Sequence, residues 1–236
     1  MLQQNRINKQ KMTFALLLVY LAVHVIYTKI VIKIFDMPMH LSVTLQLTSY
    51  IVLGGVGIVL FLEKIKEGVK SWKEQPIPNI LFFFGAFLLD ILLSNLAYLP
   101  IMLLNPEYES INQHSVAELQ GQIPALFLII ALGIMGPATE EVVFRLLPVC
   151  FLEKKKLQVI GIITTSILFM LIHVQAFTLE EFYYYLPMFV TGIIYGMVTV
   201  ISRNATIPIL LHILNNLPTL LLLVLNNPGR MNPFQP

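Results

Sequence analysis

The chain has 236 residues, 57% of them hydrophobic and only 12% charged, with a net charge of +2 and a mean hydropathy of +0.79. Soluble domains carry about twice that charged fraction, so an ordinary water-soluble domain is excluded, and so small a net charge gives no footing for nucleic acid. An integral membrane protein remains.

Seven apolar runs reach the roughly twenty residues that a bilayer crossing needs. They are residues 12–35, 41–62, 80–104, 123–152, 157–177, 185–201 and 205–225. The expected fold is all-α: a polytopic membrane helix bundle of about seven transmembrane helices in a single membrane domain, residues 1–236. The first run follows a basic start, as in a signal peptide, but continues to Tyr27 without a small-residue cleavage site. It reads as a retained span. Residues 226–236, with three prolines, read as an irregular tail.

The cationic residues group between alternate runs. Arg6, Lys9 and Lys11 precede the first; Lys64, Lys66, Lys70 and Lys73 follow the second; Lys154, Lys155 and Lys156 follow the fourth; Arg203 follows the sixth. In a seven-span chain all of these fall on one side, which the positive-inside rule makes cytoplasmic, together with the N-terminus. Asp36, Glu107, Glu109, Glu118, Glu180 and Glu181 fall on the other. Lys29 and Lys33 run against this pattern and are expected to snorkel outward. The distribution fits a bacterial plasma membrane. The one cysteine, Cys150, allows no intrachain disulfide and reads as a small packing residue. Gly54, Gly55 and Gly57 in the second run, and Gly192 and Gly196 in the sixth, suit close helix packing in lipid.

The fourth run carries the costliest residues. Glu140, Glu141 and Arg145 lie inside it, behind Gly136-Pro137. Ionised groups at membrane depth cost several kcal/mol each unless paired or hydrated, which makes them functional candidates. The Gly-Pro pair predicts a bend or break with a helix starting at Pro137. Glu141 and Arg145, four apart, share a helix face and predict an ion pair. Glu140 points about 100° away and is expected to lack that partner. Further polar residues in the runs are His24, Asp90, Asn95, His173, His212 and Asn216. His212 and Asn216 are four apart and project from one face.

Glutamate and histidine together can deprotonate a water, and a second histidine with an asparagine amide can stabilise a tetrahedral oxyanion. This equipment hydrolyses an amide without a covalent intermediate. Glu140, His173 and His212 could equally ligate zinc with an open water position, although the helical His-Glu-x-x-His spacing is absent.

At these residues the chain resembles the CAAX-processing and bacteriocin-processing membrane peptidases, the CPBP or Abi family. Its Glu-Glu-x-x-x-Arg motif is matched by Glu140, Glu141 and Arg145, Phe-x-x-x-His by Phe169 and His173, and His-x-x-x-Asn by His212 and Asn216. The resemblance covers residues 123–225, leaving residues 12–122 as N-terminal spans without an assigned role. Leu146 stands where many members have glycine. The resemblance implies a membrane-embedded endopeptidase with Glu140 as the base that activates water, assisted by His173. It implies an oxyanion site at His212 and Asn216, with Glu141 and Arg145 in support. The expected partners are the bilayer and a peptide or membrane-protein substrate, such as an exported peptide, bacteriocin or pheromone. Two other readings are a non-catalytic immunity or regulatory partner and a proton-coupled transporter; the latter lacks a visible two-fold repeat.

Overall fold

A computed structural model describes residues 15–23, 39–110, 124–146, 152 and 154–225, and every regular element among them is helical. The first, α1, covers residues 15–23. It is followed by α2 (Met39–Leu60), α3 (Leu62–Glu74) and α4 (Pro76–Leu104). The fifth helix, α5, runs from Ala125 to Leu146. Then come α6 (Lys155–His173), the short α7 (Leu179–Tyr184), α8 (Leu186–Ser202) and α9 (Thr206–Leu225). Among the described residues four helices are long and apolar enough to cross a membrane: α4, α5, α6 and the joined α7–α8. The bent pair α2–α3 brings the number to five, and α9 contains a shorter apolar stretch, Thr206–Leu222. The chain is an integral, multi-pass membrane protein. His24, Lys29, Lys33 and Cys150 lie outside the described residues, as does the tail.

The chain bends by 74° between α2 and α3, where the apolar run gives way to Glu63-Lys64 and Phe61 leaves helical geometry (φ −107°, ψ 13°). Six of the seven charges of α3 pair with one another, Lys64 with Glu67, Lys66 with Glu63 and Lys70 with Glu74. These exposed pairs add little stability. The opposite side of α3 is held to the start of α9: Trp72 Nε1 donates to Thr206 Oγ1 at 2.8 Å, and Asn204 Nδ2 donates to the Gly68 carbonyl at 3.3 Å.

The expected break at Gly136-Pro137 is absent, although the expected α-helical start is present, with Pro137 in its first turn. Instead α5 runs through as one helix that changes pitch: π-helical over Ile129–Met135, α-helical over Gly136–Glu141, π-helical again over Val142–Leu146. The Gly136 N–H reaches back five residues to the Ala131 carbonyl. A proline normally clashes with the carbonyl four residues earlier and lacks the N–H that would bond to it. The wider turn before Pro137 absorbs both defects, so the helix continues where it would otherwise kink. Every residue from Gly136 to Leu146 is buried, which makes this segment the axis of the bundle.

Small residues set the approach of the flanking helices. A Cβ at Gly192 would stand 2.8 Å from the Ser166 side chain, and one at Gly196 would stand 2.7 Å from Ile162. The order of these contacts makes α6 and α8 antiparallel, and the glycines of the sixth run are packing residues, as expected. On the other side Gly57 lies against Val142 of α5. The chain reverses from α8 into α9 through Arg203, in left-handed conformation at φ 53°. The lysines of α3, Lys154–Lys156 and Arg203 therefore share one end of the bundle. At the opposite end Tyr108 donates to Glu181, bringing the Glu107–Glu109 loop beside α7.

Candidate active site

Consecutive positions on a helix diverge by about 100°, so Glu140 and Glu141 leave α5 in different directions and meet different partners. Glu141 Oε1 lies 2.8 Å from His212 Nδ1 on α9, and Oε2 lies 3.4 Å from Arg145 Nε. The expected Glu141–Arg145 pair is therefore present, with both side chains almost fully buried. It is a contact of charges: among the described residues no hydrogen bond reaches Arg145 Nε, Nη1, Nη2 or Glu141 Oε2. The guanidinium also lies 4.3 Å from the centroid of the Phe169 ring on α6, where the ring face attracts a cation.

Glu140 is not without partners. Its Oε1 accepts from Tyr20 OH of α1 at 3.2 Å and Tyr50 OH of α2 at 3.4 Å. Its Oε2 lies 3.6 Å from His212 Nε2. The sequence reasoning considered only partners on the same helix, whereas these phenols arrive from helices 90 and 120 residues away in the chain. One imidazole, 5% exposed, thus stands between two carboxylates, with Nδ1 bonded to Glu141 and Nε2 turned toward Glu140. The Nε2–Oε2 separation exceeds a hydrogen bond and leaves both atoms able to engage a third group.

His173 ends α6. Its Nδ1 lies 2.8 Å from the Phe169 carbonyl; a carbonyl only accepts, so the proton sits on Nδ1 and Nε2 is the nitrogen left for chemistry. Phe169 separates the two histidines, with ring centroids 4.9 Å from His173 and 5.7 Å from His212. Asn216 is partly buried one turn beyond His212, and no hydrogen bond joins it to the other candidates among the described residues. The neighbouring Asn215 is engaged instead, donating to Asp90 and to Tyr195 OH, each at 2.7 Å. Of the sequence candidates, Glu140, Glu141, Arg145 and His212 form one contacting cluster, and His173 adjoins it across Phe169.

Residues 122–218 match the family model described as Rce1-like, type II CAAX prenyl endopeptidase Rce1-like. Over this region the chain is similar to the CAAX prenyl endopeptidases. The family implies a membrane-embedded CAAX-type endopeptidase, a hydrolase acting on a peptide or protein in the membrane. The matched region holds all six site candidates and covers less than half of the chain; α1 to α4 lie before it. Comparison with curated proteins and with solved structures finds no match.

Among the described residues no three His, Cys, Asp or Glu side chains are grouped to hold a metal ion. Tyr20 and Tyr50 escaped the sequence reading because a tyrosine in an apolar run ordinarily marks the membrane interface. Nothing local distinguishes one that donates to a buried carboxylate.

Proposed function

We propose that this protein is a membrane-embedded endopeptidase in which Glu140 takes a proton from a water molecule and the resulting hydroxide attacks the carbonyl carbon of the scissile peptide. Glu140 Oε2 is the accepting atom, since Oε1 is held by the two tyrosines. His173, with Nε2 free to accept, orders the same water. The oxyanion that forms on the carbonyl oxygen takes hydrogen bonds from the Asn216 amide and from His212 Nε2, which donates with the imidazole protonated on both nitrogens between the two carboxylates. Such donors contribute about 10²–10³ in rate each. The proton then passes from Glu140 to the departing amine as the C–N bond breaks. Glu141 holds His212, and Arg145 holds Glu141. The observation that carries this reading is the imidazole of His212 suspended between the two carboxylates inside an apolar bundle. A scaffold protein has no use for that arrangement, which leaves charges buried at a cost of several kcal/mol.

The basic end of the bundle, with α3 and Arg203, faces the cytoplasm on this reading, in a bacterial plasma membrane with seven crossings. The substrate is a small or membrane-associated peptide, prenylated or exported.

The test is cleavage of an internally quenched peptide library, farnesylated and plain, by the purified protein, with and without chelator. Glu140→Gln and His173→Ala are expected to abolish cleavage while chelator leaves it intact. Full turnover by either variant would sink the proposal; loss in chelator would replace the glutamate mechanism with a metal-dependent one.

A further inference from the structure

Asp90 lies in the middle of α4, a helix that otherwise turns Leu88, Leu89, Ile91 and Leu92 outward. It is only 2% exposed, and it belongs to none of the motifs above. Its two oxygens take hydrogen bonds from three helices. Oδ1 accepts from Ser94 on α4 at 3.1 Å and from Thr191 on α8 at 2.7 Å. Oδ2 accepts from Tyr195 OH on α8 at 3.0 Å and from Asn215 on α9 at 2.7 Å. The Asn215 amide also donates to Tyr195 OH at 2.7 Å, which closes a triangle of Asp90, Tyr195 and Asn215.

Two of these partners adjoin the candidate active site. Asn215 is three residues beyond His212 and one before Asn216. At about 100° per residue, Asn215 points some 60° to one side of His212 and Asn216 some 40° to the other. Tethering Asn215 therefore sets the rotation of the helix that aims both. The Tyr195 ring, held at its hydroxyl by Asp90, lies 5.9 Å from the His212 ring and walls its far side. A tether is needed here, because Pro218 lies inside α9 and removes the backbone hydrogen bond to the carbonyl of Leu214, loosening the helix just past these residues.

We propose that Asp90 is a positioning residue: through Asn215 and Tyr195 it sets the rotation of α9 and so the aim of His212 and Asn216. This rests on the peptidase reading above, and it assigns a task to a span that lies outside the family match. Asp90 itself touches neither Glu140 nor His212 by any hydrogen bond among the described residues, so it acts through α9 alone.

The test uses full-length protein in lipid nanodiscs and the library peptide that the native protein cleaves fastest. Asp90→Asn turns an amide group toward donors that need an acceptor, and kcat per folded molecule is expected to fall about 100-fold with KM unchanged, the scale of a misaimed group. The exchange Asp90→Asn with Asn215→Asp returns an amide–carboxylate bond with its ends reversed and is expected to recover about 10-fold of that loss. Asn95→Ala, on the same helix but exposed and, among the described residues, bonded only to the Ile91 carbonyl one turn back, leaves kcat unchanged. Where Asp90→Asn does not fold, Tyr195→Phe and Asn215→Ala each remove part of the tether and carry the test, with about 10-fold losses in kcat expected. A second readout needs no turnover: in nitrogen-labelled histidine spectra the His212 imidazole signals shift in Tyr195→Phe and Asn215→Ala, while those of His173 hold. Native kcat per folded molecule in these variants, or unmoved His212 signals, overturns the proposal. Activity surviving in Glu140→Gln would instead overturn the peptidase mechanism and leave the histidine spectra to decide the role of Asp90.

Discussion

Replacing Arg145 by methionine isolates the energetics of the buried pair at the centre of the bundle. The guanidinium and the Glu141 carboxylate are 1% and 0% exposed and 3.4 Å apart. Removing one member leaves the other buried with only its remaining contact, His212 for Glu141 or the Phe169 ring for Arg145, at a cost of up to about 3–5 kcal/mol. Arg145→Met also loses the 4.3 Å contact with the Phe169 ring, and Glu141→Gln weakens the 2.8 Å contact to His212. Each of those losses occurs in one single variant and again in the double variant, so both cancel in a double-mutant cycle. What remains is the coupling between the two charges, expected at about 2–3 kcal/mol in the stabilising sense. The assay is reversible unfolding of the purified proteins by sodium dodecyl sulfate in mixed micelles, followed by circular dichroism. Coupling within about 0.5 kcal/mol of zero, the scatter of independent sites, would refute the view that Arg145 holds Glu141.

The helix approach at α6 and α8 makes a second prediction: Gly192→Ala and Gly196→Ala each destabilise by about 1–3 kcal/mol through overpacking, because their added methyls meet Ser166 and Ile162. Gly55→Ala, with nothing within 4 Å of its Cβ, is neutral or stabilising by up to about 1 kcal/mol; the same micelle titration separates them. At the acidic end, burial and then the hydrogen bond to Glu181 push the Tyr108 phenol up from 10.0 to about 12. A raised folded value stabilises fully below the unfolded one and is lost as pH climbs through the folded one. Tyr108→Phe should therefore remove a loss of stability falling between about pH 10 and 12, read from thermal midpoints across that window; an unchanged alkaline limb would contradict this contact.

Much of the site could be read from spacing alone. Glu141 and Arg145 meet because four residues make about one helical turn, and that relation is local. The separation of Glu140 from Glu141 was equally legible, as a matter of helical angle. Glu140's own partners were not, since Tyr20 and Tyr50 come from other helices and carry no local mark of their task. The same limit hid the partners of Asp90, since three of its four donors come from α8 and α9. Gly136-Pro137 misled in the opposite direction. Its local signal is a break, but the chain instead widened the turn before the proline and kept the helix continuous.

Composition and hydropathy by themselves determined that the chain lives in a membrane and is helical, because a backbone in hydrocarbon must satisfy its polar groups within each segment. They also determined which residues were too costly to be there without a purpose. Only the tertiary structure decided which of those residues meet. His212 reaching both carboxylates, Arg145 lying on Phe169 and Asn215 bonding Asp90 all depend on how helices distant in sequence cross and rotate. Those crossings follow from the fit of side chains such as Gly192 against Ser166, which no single segment contains.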